Sequence, residues 1–181
     1  MAPPGRGQAW LEGVMMTVIQ LAKHGDAAFV ADDIAKLLPI VLRVQEPPDR
    51  DFALVAKRTL TYLKYILFPR ADVAAVVAGL LEGLGDPQWH ARAASLKFLQ
   101  AFVFRHAFLL SAAELASLRD AVIERLTDQQ IEVRLLAGDT LTGFLKGLGA
   151  KAHSAEALRA RCMAAAAPPP RKKRRAAADA A

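Results

Sequence analysis

Apolar residues recur along this chain with a helical period. Between residues 8 and 24, Leu11, Val14, Met15, Val18, Ile19 and Ala22 fall three and four apart, which places them on one face of a helix. A Gly25-Asp26 turn follows. The pattern then predicts a helix over 27–45 with Val30, Ile34, Leu37, Leu38 and Val41 inward. Pro39 lies inside it and is expected to kink it, because proline removes a backbone donor and crowds the preceding turn. Pro47-Pro48-Asp49 is a break, and a third helix is expected over 50–67. Phe68-Pro69-Arg70 ends it, and a fourth helix covers 71–84. Gly85-Asp86-Pro87 reads as a turn with a capping aspartate and a proline at the first helical position of a fifth helix, which reaches about residue 106. Ser111, with Glu114 three residues on, makes a capping box for a sixth. Asp128 opens a seventh that runs to about 146 and is closed by Gly147 and Gly149. A weak helix over 154–165 precedes Pro168-Pro169-Pro170.

Aligned against one another, these helices show an internal repeat. Asp86, Trp89, Ala91 and Arg92 match Asp128, Ile131, Val133 and Arg134: an aspartate, an apolar residue three on, a small one five on and an arginine six on. Ser95 and Ala137, then Leu99 and Leu141, continue the match. Asp51, Leu54, Ala56 and Lys57 form a looser third copy. Helical units recurring at roughly 40 residues indicate an α-solenoid, because one helix pair cannot bury its apolar face alone and successive pairs must stack. The expected fold is therefore all-α: a HEAT/armadillo-like solenoid of stacked antiparallel helix pairs. It spans 8–148, with a weak terminal helix in 149–166 and a disordered basic tail from 167 to 181. Asp86, Trp89, Arg92, Asp128, Val133 and Arg134 are read as structural. Each aspartate is expected to cap a helix, each arginine to reach the neighbouring turn, and Trp89 to pack in the core.

Composition agrees. Of the 181 residues, 54% are hydrophobic and only 7% aromatic, a balance that favours helix over strand. The net charge of +6 is unevenly placed. Arg171, Lys172, Lys173, Arg174 and Arg175 contribute +5 and Asp179 takes back one, so residues 171–181 hold +4 and the remainder only +2. A nearly neutral body offers no broad positive face to nucleic acid. The run after three prolines is instead a short solvated segment, read as a nuclear localisation signal or a weak nucleic-acid contact. The opening MAPPGRGQAW lacks the form of a signal peptide, and no apolar run is long enough to span a bilayer, so no membrane partner is expected. Cys162 is the single cysteine, which suits a reducing compartment.

No catalytic constellation is legible. His24, His90, His106 and His153 have no metal-pair spacing, and one cysteine cannot complete a zinc site. Adjacent Asp32 and Asp33 diverge on a helix. There is neither a glycine-rich phosphate loop nor a nucleophile elbow. The chain is read as a non-enzyme with no cofactor and no metal.

The stretch from Gln88-Trp89-His90-x-Arg92, through the apolar 98–108 segment, to Ile131-Glu132-Val133-Arg134 and Thr140-Leu141-x-Gly143 resembles the C-terminal part of the large HEAT-repeat proteasome activator family, proteasome activator complex subunit 4. The resemblance implies a scaffold that caps the proteasome core particle and stimulates peptide hydrolysis without ATP, in nucleus and cytoplasm. It also implies acetylated histones as partners of some members, so a nuclear chromatin or nucleic-acid binding module is the second reading. Two departures go with it. Family chains end in a hydrophobic-Tyr-x docking motif where this sequence ends in alanines, so the chain reads as a fragment. Leu148-Gly149 also stands where some members carry an Asn-Phe pair tied to acetyl-lysine.

Overall fold

The structure, a computed structural model, describes residues 6–24, 31–45, 49–148 and 155–166. They form helices α1 (Arg6–His24), α2 (Ala31–Arg43), α3 (Arg50–Leu63), α4 (Arg70–Leu84), α5 (Trp89–His106), α6 (Ala112–Arg125), α7 (Ile131–Leu148) and α8 (Ala155–Ala166). The expected tail, and the turns at 25–30 and 46–48, lie outside the described residues.

The helices alternate between two layers. Even helices stack in sequence, α2 on α4, α4 on α6 and α6 on α8, while in the odd layer α1 stacks on α3 and α5 on α7. Hairpin partners α2–α3, α4–α5 and α6–α7 join the layers. This is the all-α helical-repeat stack that the periodicity predicts. Its core lies between the layers, where Leu38, Leu63, Leu80, Leu84, Leu96, Phe98 and Leu99 are at most 1% exposed. Helix α5 is the most enclosed: Ala91 to Leu96 are all buried, because α4, α7 and α2 each cover part of its circumference.

Close approach of helices needs small residues at the crossings. A Cβ on Gly79 of α4 would lie 3.1 Å from the Pro39 ring of α2. One on Gly83 would collide with Ser95 Oγ of α5 and sit 3.2 Å from Leu42 Cδ1. Both α2–α4 and α4–α5 thus depend on glycine in α4.

Three local expectations need correction. Helix α3 stops at Leu63 rather than 67. Lys64 and Tyr65 form a turn, with Tyr65 N and Ile66 N donating to Tyr62 O and Leu63 O, and beyond it Ile66 and Phe68 are buried and Leu67 exposed. Pro69 disfavours helix at the residue before it, and the Phe68 N–H is taken by His106 Nε2 at 2.9 Å. Asp86 and Asp128 are not N-caps, and Pro87 is not the first helical residue: α5 starts at Trp89 behind Gln88, and α7 at Ile131. The α6 capping box is present, with Ser111 Oγ accepting from Glu114 N and Glu114 accepting from Ser111 N.

Candidate functional site

The repeat aspartates form a ladder along one edge of the stack. Asp86 Oδ1 accepts from Gln88 N at 2.8 Å and Asp128 Oδ1 from Gln130 N at 3.0 Å, each tightening the turn that feeds the next helix. Asp49 Oδ1 accepts from Asp51 N at 2.9 Å in the same way. The third aspartate of the repeat is therefore Asp49 and not Asp51, which is exposed. The turn before α3 is two residues shorter than its counterparts. Phe52, Ala56 and Leu60 consequently share the helical register of Ala91, Ser95 and Leu99 and of Val133, Ala137 and Leu141, and all nine are buried.

Each aspartate also receives a donor from the preceding repeat. Gln8 reaches Asp49 at 2.9 Å, and Arg43 reaches Asp86 through Nε at 2.7 Å. Arg92 grips Asp128 with two parallel bonds of 2.7 Å. Its Nη1 donates to the carbonyls of Asp86 and Pro87, 2.9 and 3.0 Å away. Arg134 Nη1 donates to Asp128 O at 2.7 Å. Burial pushes the Asp128 carboxyl up, but the bonds from Arg92 and Gln130 outweigh it and hold the group below its ordinary value. Arg92 thus works both within its repeat and across to the next. Sequence offsets show the first role but not the second, nor do they show Gln8 and Arg43, whose partners lie about one repeat away.

The second feature is a gap. Helices α3 and α5 have none of the close packing that joins α1 to α3 and α5 to α7. Between them runs an open cleft of about 360 Å³. Lys57, Thr61 and Lys64 come from α3, Trp89, His90 and Lys97 from α5, and Glu132 and Leu136 from α7. Its floor is set by Gln45, which donates to Val41 O and Ala56 O. Trp89 is therefore half-buried on the cleft wall, its ring centroid 3.6 Å from that of His90, rather than inside the core.

No family model matches the chain. Among curated proteins it is 32% identical over 138 residues to proteasome activator subunit 4 of Arabidopsis thaliana, a match covering 76% of this chain and 8% of that protein. It is 33% identical over 117 residues to proteasome activator complex subunit 4B of Danio rerio, covering 61% and 6%. The Homo sapiens protein named proteasome activator complex subunit 4 is 37% identical over 83 residues, covering 45% and 4%. The chain belongs to the proteasome activator subunit 4 family. A solved engineered protein overlaps it with a TM-score of only 0.41 at 13% identity, covering 84% of this chain and 68% of that one.

The chain thus corresponds to a short stretch of the subunit 4 proteins, at most 8% of the length of the relatives named here. Within it, the residues read as structural from sequence divide. Asp86, Arg92, Asp128 and Arg134 meet on the ladder. Val133 on α7 is fully buried, while Trp89 lines the cleft and packs against the core from its edge. Arg171, Lys172, Lys173, Arg174, Arg175 and Gly149 fall outside the described residues. Cys162 is half-buried on α8. Among the described residues no group of three metal-ligating side chains forms, and no helix is long and apolar enough to cross a membrane.

One further residue escaped sequence reasoning. His106, 2% exposed, accepts from Phe68 N through Nε2, which leaves Nδ1 as the donor to Phe102 O at 3.0 Å. Burial lowers its pKa, and the charge of Arg105 adds to the effect. Its partner Phe68 is 38 residues away, so no local pattern announces it.

Proposed function

We propose that this chain is a non-catalytic scaffold segment which, within a longer helical array, contributes to binding the proteasome core particle and to ATP-independent stimulation of peptide hydrolysis. The match to the subunit 4 proteins over three quarters of the chain carries this reading. Physical features support it. A ladder of aspartates linking successive repeats builds a stiff surface, and stiff surfaces position other elements. Exposed apolar side chains on the flanking helices, Trp10 on α1 and Ile131 and Leu135 on α7, suit coverage by neighbouring helices of an array.

A graft tests it. Replacing the matching stretch of the Arabidopsis thaliana relative with residues 6–148 of this chain is expected to preserve stimulation of fluorogenic peptide hydrolysis by latent core particle without ATP. A folded graft that no longer binds core particle would contradict the proposal. The chain alone is expected to give no stimulation; a saturable, several-fold rise would show that one of its own surfaces opens the gate.

For location, we infer entry into the nucleus alongside a cytoplasmic pool, from the five consecutive cations of 171–175. A fluorescent fusion with these changed to alanine is expected to shift to the cytoplasm. An unchanged distribution would remove the run from the account.

A further inference from the structure

Lys64 stands where the other repeats place an apolar side chain. One turn beyond Leu60 in the shared register, its counterparts are Val103, 6% exposed, and Leu145, 42% exposed. Lys64 is half-buried at the C-cap of α3, and its ammonium opens on the cleft between α3 and α5. Desolvation lowers its pKa, and repulsion from Lys97 on the facing helix lowers it further. Two like charges held together at the margin of a core are a standing cost to the fold, and nothing in the repeat requires them: the same position elsewhere takes valine or leucine. Costs of this kind gather where a charged ligand is to be met. The seam itself agrees, because α3 and α5 stand apart at the one place in the odd layer where these lysines face each other.

We propose that the α3–α5 cleft is a docking groove for an acidic peptide segment that alternates carboxylate and apolar side chains. Lys64 and Lys97 take the carboxylates, and Lys57 extends the positive wall. Lys57 and Lys64 lie two turns apart on α3, about 10 Å along the helix, which an extended peptide spans in three residues. Between the cations the wall is apolar, formed by Leu60, Ala93 and Leu136, with the Trp89 ring at one end. That mixture fits a peptide better than a nucleic acid, whose continuous run of phosphates would meet Glu132 and find no arginine among the lining residues. Three lysines against one glutamate give the groove a net positive charge within a nearly neutral body.

The test uses the full chain and three fluorescein-labelled probes: a short peptide alternating glutamate and leucine, its lysine–leucine counterpart, and a single-stranded oligonucleotide. Anisotropy is expected to show saturable binding of the acidic peptide, weakened by salt. Lys64→Gln with Lys97→Gln is expected to reduce affinity about tenfold or more, since each removes a charged hydrogen bond. Changing 171–175 to alanine is expected to leave it intact. Lys97→Gln alone, at an exposed position, carries the test should the double variant fail to fold. Equal binding of the acidic and basic peptides, or affinity indifferent to Lys97, would overturn the proposal. So would tighter binding of the oligonucleotide through the same lysines, which would assign the groove to nucleic acid.

Discussion

Helix α5 meets its two neighbours in the odd layer on different terms. Toward α7 it is closed: Arg92 bridges to Asp128, Gln100 donates to Thr140 Oγ1 at 3.0 Å, and Val133 is sealed at 0% exposure. Toward α3 it is open, and lysines line the gap. Both seams are built from copies of one repeat. They differ at few positions: Val103 and Leu145 against Lys64, and a fully formed arginine fork against Arg43, which reaches Asp86 from the end of α2 with a half-exposed side chain. In a repeat stack the common positions hold the array together. The position where one copy breaks the pattern at a cost to stability is the place to look for binding.

The comparison can be broken most forcefully at the closed seam. Val133→Asp is expected to abolish most of the fold's stability, because a buried unpaired carboxylate costs several kcal/mol against a total of about 5–15. Leu54→Asp, at an exposed position on the open side, is expected to cost at most about 0.5 kcal/mol. Thermal denaturation followed by circular dichroism distinguishes them; equal midpoints would mean that the buried face of α7 is misassigned.

The ladder gives a finer test. Arg92→Ala strands the Asp128 carboxylate, 3% exposed, and is expected to cost about 3 kcal/mol in urea unfolding. Arg43→Ala removes the rung at the open seam, where Arg43 is 53% exposed, and is expected to cost about 1 kcal/mol or less. Similar losses would erase the distinction between the seams.

The effect of His106→Leu is smaller than that of Arg92→Ala: it leaves Phe68 N–H unpaired at a cost of about 1–2 kcal/mol. It carries a pH signature. The folded His106 binds a proton less readily than the ordinary value of 6.5, so below that pH the unfolded chain holds more protons and stability falls with falling pH until the folded value is passed. The native protein is therefore expected to lose stability between about pH 7.5 and 5, and the gap separating it from His106→Leu to narrow over that interval. A gap constant with pH would show that His106 is not held neutral.

Much of this architecture is legible in the chain. The helices follow from three- and four-residue spacing, the α6 cap from Ser111 and Glu114, and the repeat from Asp86 and Asp128 with Arg92 and Arg134. What is not legible depends on partners a repeat away. Asp49 was masked by the nearby Asp51, because the turn before α3 is two residues shorter and a fixed aspartate-to-helix offset then selects the wrong carboxylate. The fork from Arg92 to Asp128 joins residues 36 apart, and the end of α3 depends on a histidine 38 residues beyond Phe68. Lys64 could have been noticed by extending the third copy along α3 to the offset where Val103 and Leu145 fall. Trp89 could not be placed, because its half-burial depends on the failure of α3 to pack against α5.

The measurement that bears most directly on this account is the thermal midpoint of Lys64→Leu, with and without the acidic peptide. An apolar side chain at this position, as in the other repeats, removes a half-buried charge and fills the seam, so the variant alone is expected to melt a few degrees above the native chain. The native chain is expected to gain from the peptide by mass action, and the variant to gain nothing. A variant that melts lower than the native chain, or that is stabilised by the peptide as strongly, would contradict the claim that this seam exchanges stability for binding.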